Sequence, residues 1–215
     1  MPSVTAIKPQ KNKDFVNLFL DGQFAFSLSL LDLANKKIRV GTQMSLGEVQ
    51  ELSAQATVAK MVNRAVAHLS YRPRSRFEIK NFLQRKFFGK DKSLGETEVT
   101  KALKTLADLK LLDDEALARQ LWQERSAGSK ARGLNFIQAE LRRKGINKEI
   151  IEELSKQSQS FDWKSTATAL VEKRQRIYHK LPREVRRRRL ISLLLRRGFD
   201  WSLAATVVDG ALKDS

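Results

Sequence analysis

At 215 residues the chain can form one large domain or two or three small ones, and 41% hydrophobic with 30% charged residues is the balance of a folded protein. Lys and Arg number 41 against 24 Asp and Glu, a net charge of +17 that favours polyanionic partners, because each phosphate neutralised releases counterions. Zero cysteines exclude disulfides and thiolate metal sites, no apolar run has membrane-spanning length, and MPSVTAIKPQ has no apolar export segment, so a cytoplasmic protein with no membrane contact is expected.

The N-terminal part reads as strands. VTAIK (Val4 to Lys8) and FVNLFL (Phe15 to Leu20) are strand-like, and Asp21-Gly22 joins the second to QFAFSL. An Asp-Gly pair between apolar runs marks a hairpin, because both turn positions need positive φ. The reading is a small β-hairpin unit through Leu28 and a short helix around Leu30 to Asn35, with Ile38 to Gly41 leading out.

From Ser45 onward the periodicity is helical. Ser45-Leu46-Gly47-Glu48 has capping-box form, and the apolar spacing then runs to about Leu69. Ser75-Arg76-Phe77-Glu78 is a second capping box, behind a Pro73 that stops any helix from running through. The rest of the chain repeats. Ile79 to Phe88, Ile137 to Ile146 and Leu190 to Phe199 each carry an aliphatic residue and another four later (Leu83, Leu141, Leu194), then a basic pair. The central leucines are 58 and then 53 residues apart, and three helices recurring three times is the economical interpretation.

Punctuation agrees. Lys144-Gly145-Ile146-Asn147 and Arg197-Gly198-Phe199-Asp200 each place a cation at a helix C-terminus, a left-handed Gly, a returning apolar residue and a cap for the next helix. The first repeat has Phe87 where Gly is expected and a longer turn, GKDKSLGE, with the next helix capped by Ser93 or Thr97. The expected architecture is mainly α, with three tandem three-helix modules in an elongated arrangement and a small β-hairpin-containing N-terminal extension. Its boundaries are 1–44 for the extension, then 45–112, 113–160 and 161–215 for the modules.

Candidate chemistry is basic. The capping box explains Pro73, Ser75 and Glu78 but not Arg72, Arg74 and Arg76, since cations at a helix N-terminus face the positive end of its dipole. Between Asp162 and Arg197 twelve Lys and Arg stand against three acids, and Arg186, Arg187, Arg188 and Arg189 cover every side of one turn, so one must lie along a core edge. That density favours phosphate or an acidic protein surface over an ordinary solvated face. Trp163 and Trp201 read as core at helical spacing rather than as base-stacking rings.

Enzyme signatures are weak. Gly89 to Ser93 (GKDKS) lacks the spacing of a phosphate loop and has no preceding strand. Asp113-Asp114-Glu115 could hold a divalent ion, but an Asp opening a helix after LKLL reads as a cap; His68 and His179 have no nearby partner in sequence. No catalytic residue, metal site or cofactor is expected.

Four stretches carry a family resemblance: RPRSRFEI (Arg72 to Ile79), LLDDEALARQLWQER (Leu111 to Arg125), AELRRKGI (Ala139 to Ile146) and RRGF (Arg196 to Phe199). In that order they resemble the RecX family, regulators of the RecA recombinase, over about Val62 to Leu212; Phe87 and Leu117 depart from its pattern, and the N-terminal unit is similar to an extension of some members. The resemblance implies a non-catalytic monomer whose modules lie along the groove of the RecA filament on single-stranded DNA and inhibit ATP hydrolysis and strand exchange. The implied RecA and DNA contacts are Arg72, Arg74, Arg76, Arg125, Lys130, Arg132, Arg142, Arg143, Lys144, Arg186 to Arg189, Arg196 and Arg197. The alternative is an autonomous DNA-binding protein, helix-turn-helix-like or a single-strand binder, that acts by competing for DNA.

Overall fold

Asp21 and Gly22 both take positive φ, 47° and 84°, and reverse the chain between β2 (Phe15–Leu20) and β3 (Gln23–Ser29). β1 (Val4–Pro9) pairs antiparallel with the other side of β2, so the expected hairpin is part of a three-stranded meander of order β1-β2-β3. The computed structural model describes residues 1–10, 14–89, 95–157 and 161–213. Val16, Leu18 and Leu20 alternate onto the buried face of the sheet, where they meet Phe26, Leu28, Ile38, Met44 and the helix residues Leu52 and Ala56. A short helix, α1 (Leu30–Asn35), follows β3 and is capped by Ser29.

From Leu46 onward every element among the described residues is a helix: α2 (Leu46–Leu69), α3 (Arg76–Phe88), α4 (Glu96–Asp108), α5 (Asp114–Ser126), α6 (Leu134–Arg143), α7 (Lys148–Gln157), α8 (Trp163–Tyr178), α9 (Arg183–Arg196) and α10 (Trp201–Ala211). Following the sheet along the chain, they form three-helix modules in a mainly α fold. The Ser45 capping box closes as expected, with Ser45 N donating to Glu48 Oε2 at 2.7 Å and Glu48 N to Ser45 Oγ at 3.2 Å. α2 serves two cores: Leu52 and Ala56 face the sheet, and Met61 and Ala65 face α3 and α4.

The aligned repeat positions are the spine of the modules. Ile79 and Leu83, Ile137 and Leu141, and Leu190 and Leu194 are each at most 1% exposed. Around them close Val99, Leu103 and Leu106 in the first module, Ile151 and Leu154 in the second, and Ala204 and Val207 in the third. Contacts divide the chain into two units, Met1–Arg74 with Ile79–Leu112, and Ser75–Glu78 with Asp113–Ser215.

Two local expectations change. α4 starts behind Gly95, which is left-handed at φ 65° and caps without a side-chain bond; Thr97 lies inside the helix and Ser93 outside the described residues, as does GKDKS apart from Gly89. Trp163 is partly buried against the second and third module cores, at 6.4 Å ring separation from both Trp122 and Phe199, but Trp201 is 61% exposed. Phe199, at 3% exposure, takes the core place at that end of α10 and leaves the Trp201 indole outside.

Candidate basic interface

The start of α3 is a docking knot as well as a cap. Ser75 is fully buried; its Oγ accepts from the Glu78 amide at 3.1 Å and donates to the Lys144 carbonyl at 2.5 Å. Glu78 closes the box, its Oε2 accepting from Ser75 N at 3.1 Å, and the same carboxylate pairs with Lys144 Nζ at 3.4 Å. The Arg76 amide donates to Asp114 Oδ1 at 2.7 Å, and a Cβ on Gly145 would lie 2.3 Å from the Phe77 ring. All of these residues belong to the second unit.

The third repeat reuses the device. Gly133 N, at the cap of α6, donates to the Arg197 carbonyl at 2.8 Å, and Asn135 N donates to the Gly198 carbonyl at 3.2 Å. A Cβ on Gly198 would lie 2.4 Å from Phe136. The basic-Gly-apolar signature therefore does more than end a helix: its exposed carbonyls receive the start of an earlier one.

The basic residues fall into groups by what holds them. Arg125 forks onto Glu140 at 3.0 and 3.1 Å, a hydrogen-bonded pair that favours its charged form, and Arg187 forks onto Asp209 at 2.6 and 2.9 Å, which holds the Asp209 carboxyl below its ordinary range. Lys144 is tied to Glu78, and Arg197 Nη1 donates to the carbonyls of Ser129 at 3.2 Å and Ala131 at 3.1 Å. Arg72 Nη1 reaches the Pro73 carbonyl at 3.1 Å, and Arg74 Nε the His68 carbonyl at 3.3 Å. Arg132 lies 4.5 Å over the Phe136 ring and Arg189 5.7 Å over Tyr178. Arg142 bonds Gln138 at 3.4 Å, and Arg196 bonds Ser192 Oγ at 2.6 Å. Arg186 is the core-edge arginine, half-buried with its Nε enclosed and unbonded. The guanidiniums of Arg76, Arg143 and Arg188 and the Lys130 ammonium are exposed, and none joins an ion pair among the described residues.

The second unit gathers cations around two clefts. One, of about 330 Å³, is lined by Ser129, Lys130, Leu170, Lys173, Arg174, Ile177, Leu193 and Arg197. The other, about 390 Å³, is lined by Tyr178, Arg188, Arg189, Ser192 and Arg196. Burial and then the nearby charges of Arg132 and Arg174 push the Arg197 guanidinium down from its ordinary value. Lys173, Arg174 and Tyr178 stand outside the sequence-derived site. Their signal was the spacing of Leu170, Arg174 and Ile177 along one helical face, which read only as part of a charge run.

Asp113 is a cap, accepting from the Ala116 amide at 2.8 Å, while Asp114 accepts from Arg76. Among the described residues no group of three or more His, Asp or Glu is placed to hold a metal ion, and no helix is long and apolar enough to cross a membrane.

Three stretches of the chain match known family descriptions. Residues 2–45 match the family description Regulatory protein RecX N-terminal domain, 113–154 match RecX, second three-helix domain, and 164–208 match RecX, third three-helix domain. The chain is 30% identical to the Regulatory protein RecX of Bacillus licheniformis, covering all of this chain and 78% of that one, and 28% identical to that of Lactobacillus johnsonii, covering 97% and 74%. A crystal structure of regulatory protein RecX superposes with a TM-score of 0.69 at 25% identity over the full length of both chains. A second, of RecX from Lactobacillus salivarius, shares the fold with a TM-score of 0.60 at 22% identity over 74% of this chain and 98% of that one. With the sheet, the repeated helix triplets and these matches in agreement, the chain belongs to the RecX family of regulatory proteins.

Proposed function

We propose that this chain binds the filament of RecA on single-stranded DNA, along its groove, and lowers its ATPase and strand-exchange activities without catalysing a reaction itself. On this reading the chain acts as a cytoplasmic monomer, and its modules, 45–112, 113–160 and 161–215, are linked binding units. The observation that carries it is the recurrence of exposed cations that join no ion pair among the described residues on the middle helix of each triplet: Arg76 on α3, Arg143 on α6 and Arg188 on α9. Contacts of modest strength on linked modules reinforce one another, because after the first engages the second binds at a high effective concentration. A strongly basic surface also speeds approach to an anionic assembly.

The test is RecA's ATPase on single-stranded DNA, with this protein added either before the filament forms or after it has saturated the strand. Inhibition in both orders at low salt is expected. Inhibition only when the protein is added first would replace the reading with competition for bare strand. No inhibition in either order by folded protein would end it.

A further inference from the structure

The two clefts of the second unit carry an inference that does not depend on RecA. We propose that the cleft between the Ser129–Lys130 loop, α8 and α9 holds a backbone phosphate of single-stranded nucleic acid, gripped by Lys130, Arg174 and Arg197.

Four cations from three separate elements line it, Lys130 in the loop, Lys173 and Arg174 on α8 and Arg197 at the end of α9, and no carboxylate is among the lining residues. Arg197 is positioned in advance, since the Ser129 and Ala131 carbonyls hold one end of its guanidinium and leave other N–H donors of the fork available. Burial, and then proximity to Arg132 and Arg174, works against the charge of Arg197, and a bound anion would offset both.

A protein carboxylate is the poorer match. Two carboxylates of this chain, Glu140 and Asp209, each have both oxygens satisfied by a single planar arginine fork, Arg125 and Arg187. Cations arriving from three directions suit the tetrahedral oxygens of phosphate.

The neighbouring cleft extends the argument from one anion to a strand. It uses Ser192 and Arg196 of α9, the residues before Leu193 and Arg197 of the first cleft, and adds Arg188 and Arg189. Its Tyr178 ring already has the Arg189 guanidinium 5.7 Å from its centre. A second basic cleft beside an aromatic ring suits the next phosphate and an unpaired base, the combination by which proteins follow a single strand without reading its sequence.

The experiment is fluorescence anisotropy of a labelled oligothymidylate with the full chain, titrated with NaCl, comparing the natural protein with Lys173→Gln/Arg174→Gln. The variant is expected to bind about tenfold more weakly at low salt, with a log–log salt slope shallower by about 0.7, the share of one phosphate on a single strand. Lys101→Gln/Lys104→Gln, an equal charge loss on exposed positions of α4, should leave the slope unchanged. Arg174→Lys keeps the charge and the fold but loses the fork, and is expected to weaken binding at an unchanged slope. Equal losses from the α4 pair, no binding by the natural protein, or displacement of the strand by polyglutamate as readily as by unlabelled strand would each overturn the proposal. The last outcome would make the cleft a site for an acidic protein. None of these readouts involves RecA, so failure here and failure of the filament reading are separate results.

Discussion

Ser45 and Ser75 carry the same capping box in different surroundings. Ser45 closes its box at the solvent-facing start of α2, where water replaces a lost cap bond and Ser45→Ala should cost about 1 kcal/mol. Ser75 is 0% exposed and bonds twice, to the Glu78 amide and to the Lys144 carbonyl. Removing its hydroxyl leaves a helix-end donor and a carbonyl without that partner in a place water cannot fill, so Ser75→Ala should cost about 2 kcal/mol. Urea unfolding of both variants checks this, and equal losses would mean that the Lys144 bond contributes nothing. The sequence made the cap legible, because Ser and Glu stand three apart. It hid the second bond, because Ser75 and Lys144 are 69 residues apart and belong to no common periodicity.

The same distinction holds for whole elements. Aligning the repeats identifies the buried spine, since a position that recurs at fixed phase in three helices must face a core in each, and Ile79, Ile137 and Leu190 do. The glycine after the basic pair of the second and third repeats is legible as a helix stop. Its second role, receiving the start of an earlier helix, is visible only in three dimensions, and the basic site was likewise legible as charge density but not as two clefts. Trp201 misleads for a related reason: periodicity assigns a helical face, but Phe199 already occupies that end of the core. Gly198 measures the junction directly. Its φ is 84° and an added Cβ meets Phe136, so Gly198→Ala combines left-handed strain with overlap against backbone and should lose about 3 kcal/mol. Gly22 has the same φ with nothing within 4 Å, and Gly22→Ala should lose only about 1 kcal/mol. Equal midpoint shifts in urea would mean that the Gly198 neighbours yield freely and that the junction is not tightly packed.

Over the whole molecule, the question is whether the +17 charge acts as a diffuse field or through placed residues. A diffuse field depends on total charge and weakens with screening beyond about 8–10 Å at physiological salt. Placed cations act where they sit. Arg143 and Arg188 are exposed, stand on the middle helices of two modules and join no ion pair among the described residues, whereas Lys101 and Lys104 are exposed on α4. Arg143→Glu/Arg188→Glu and Lys101→Glu/Lys104→Glu change the net charge by the same amount, and neither removes a buried side chain or an ion pair among the described residues. Their melting temperatures should therefore stay within a few degrees of the natural protein. On the filament reading only the first pair should lose inhibition of RecA's ATPase at low salt, and the difference between the pairs should narrow as salt rises. Equal loss from both would assign the effect to overall charge, in which case the arrangement of cations along the modules would have no part in recognition.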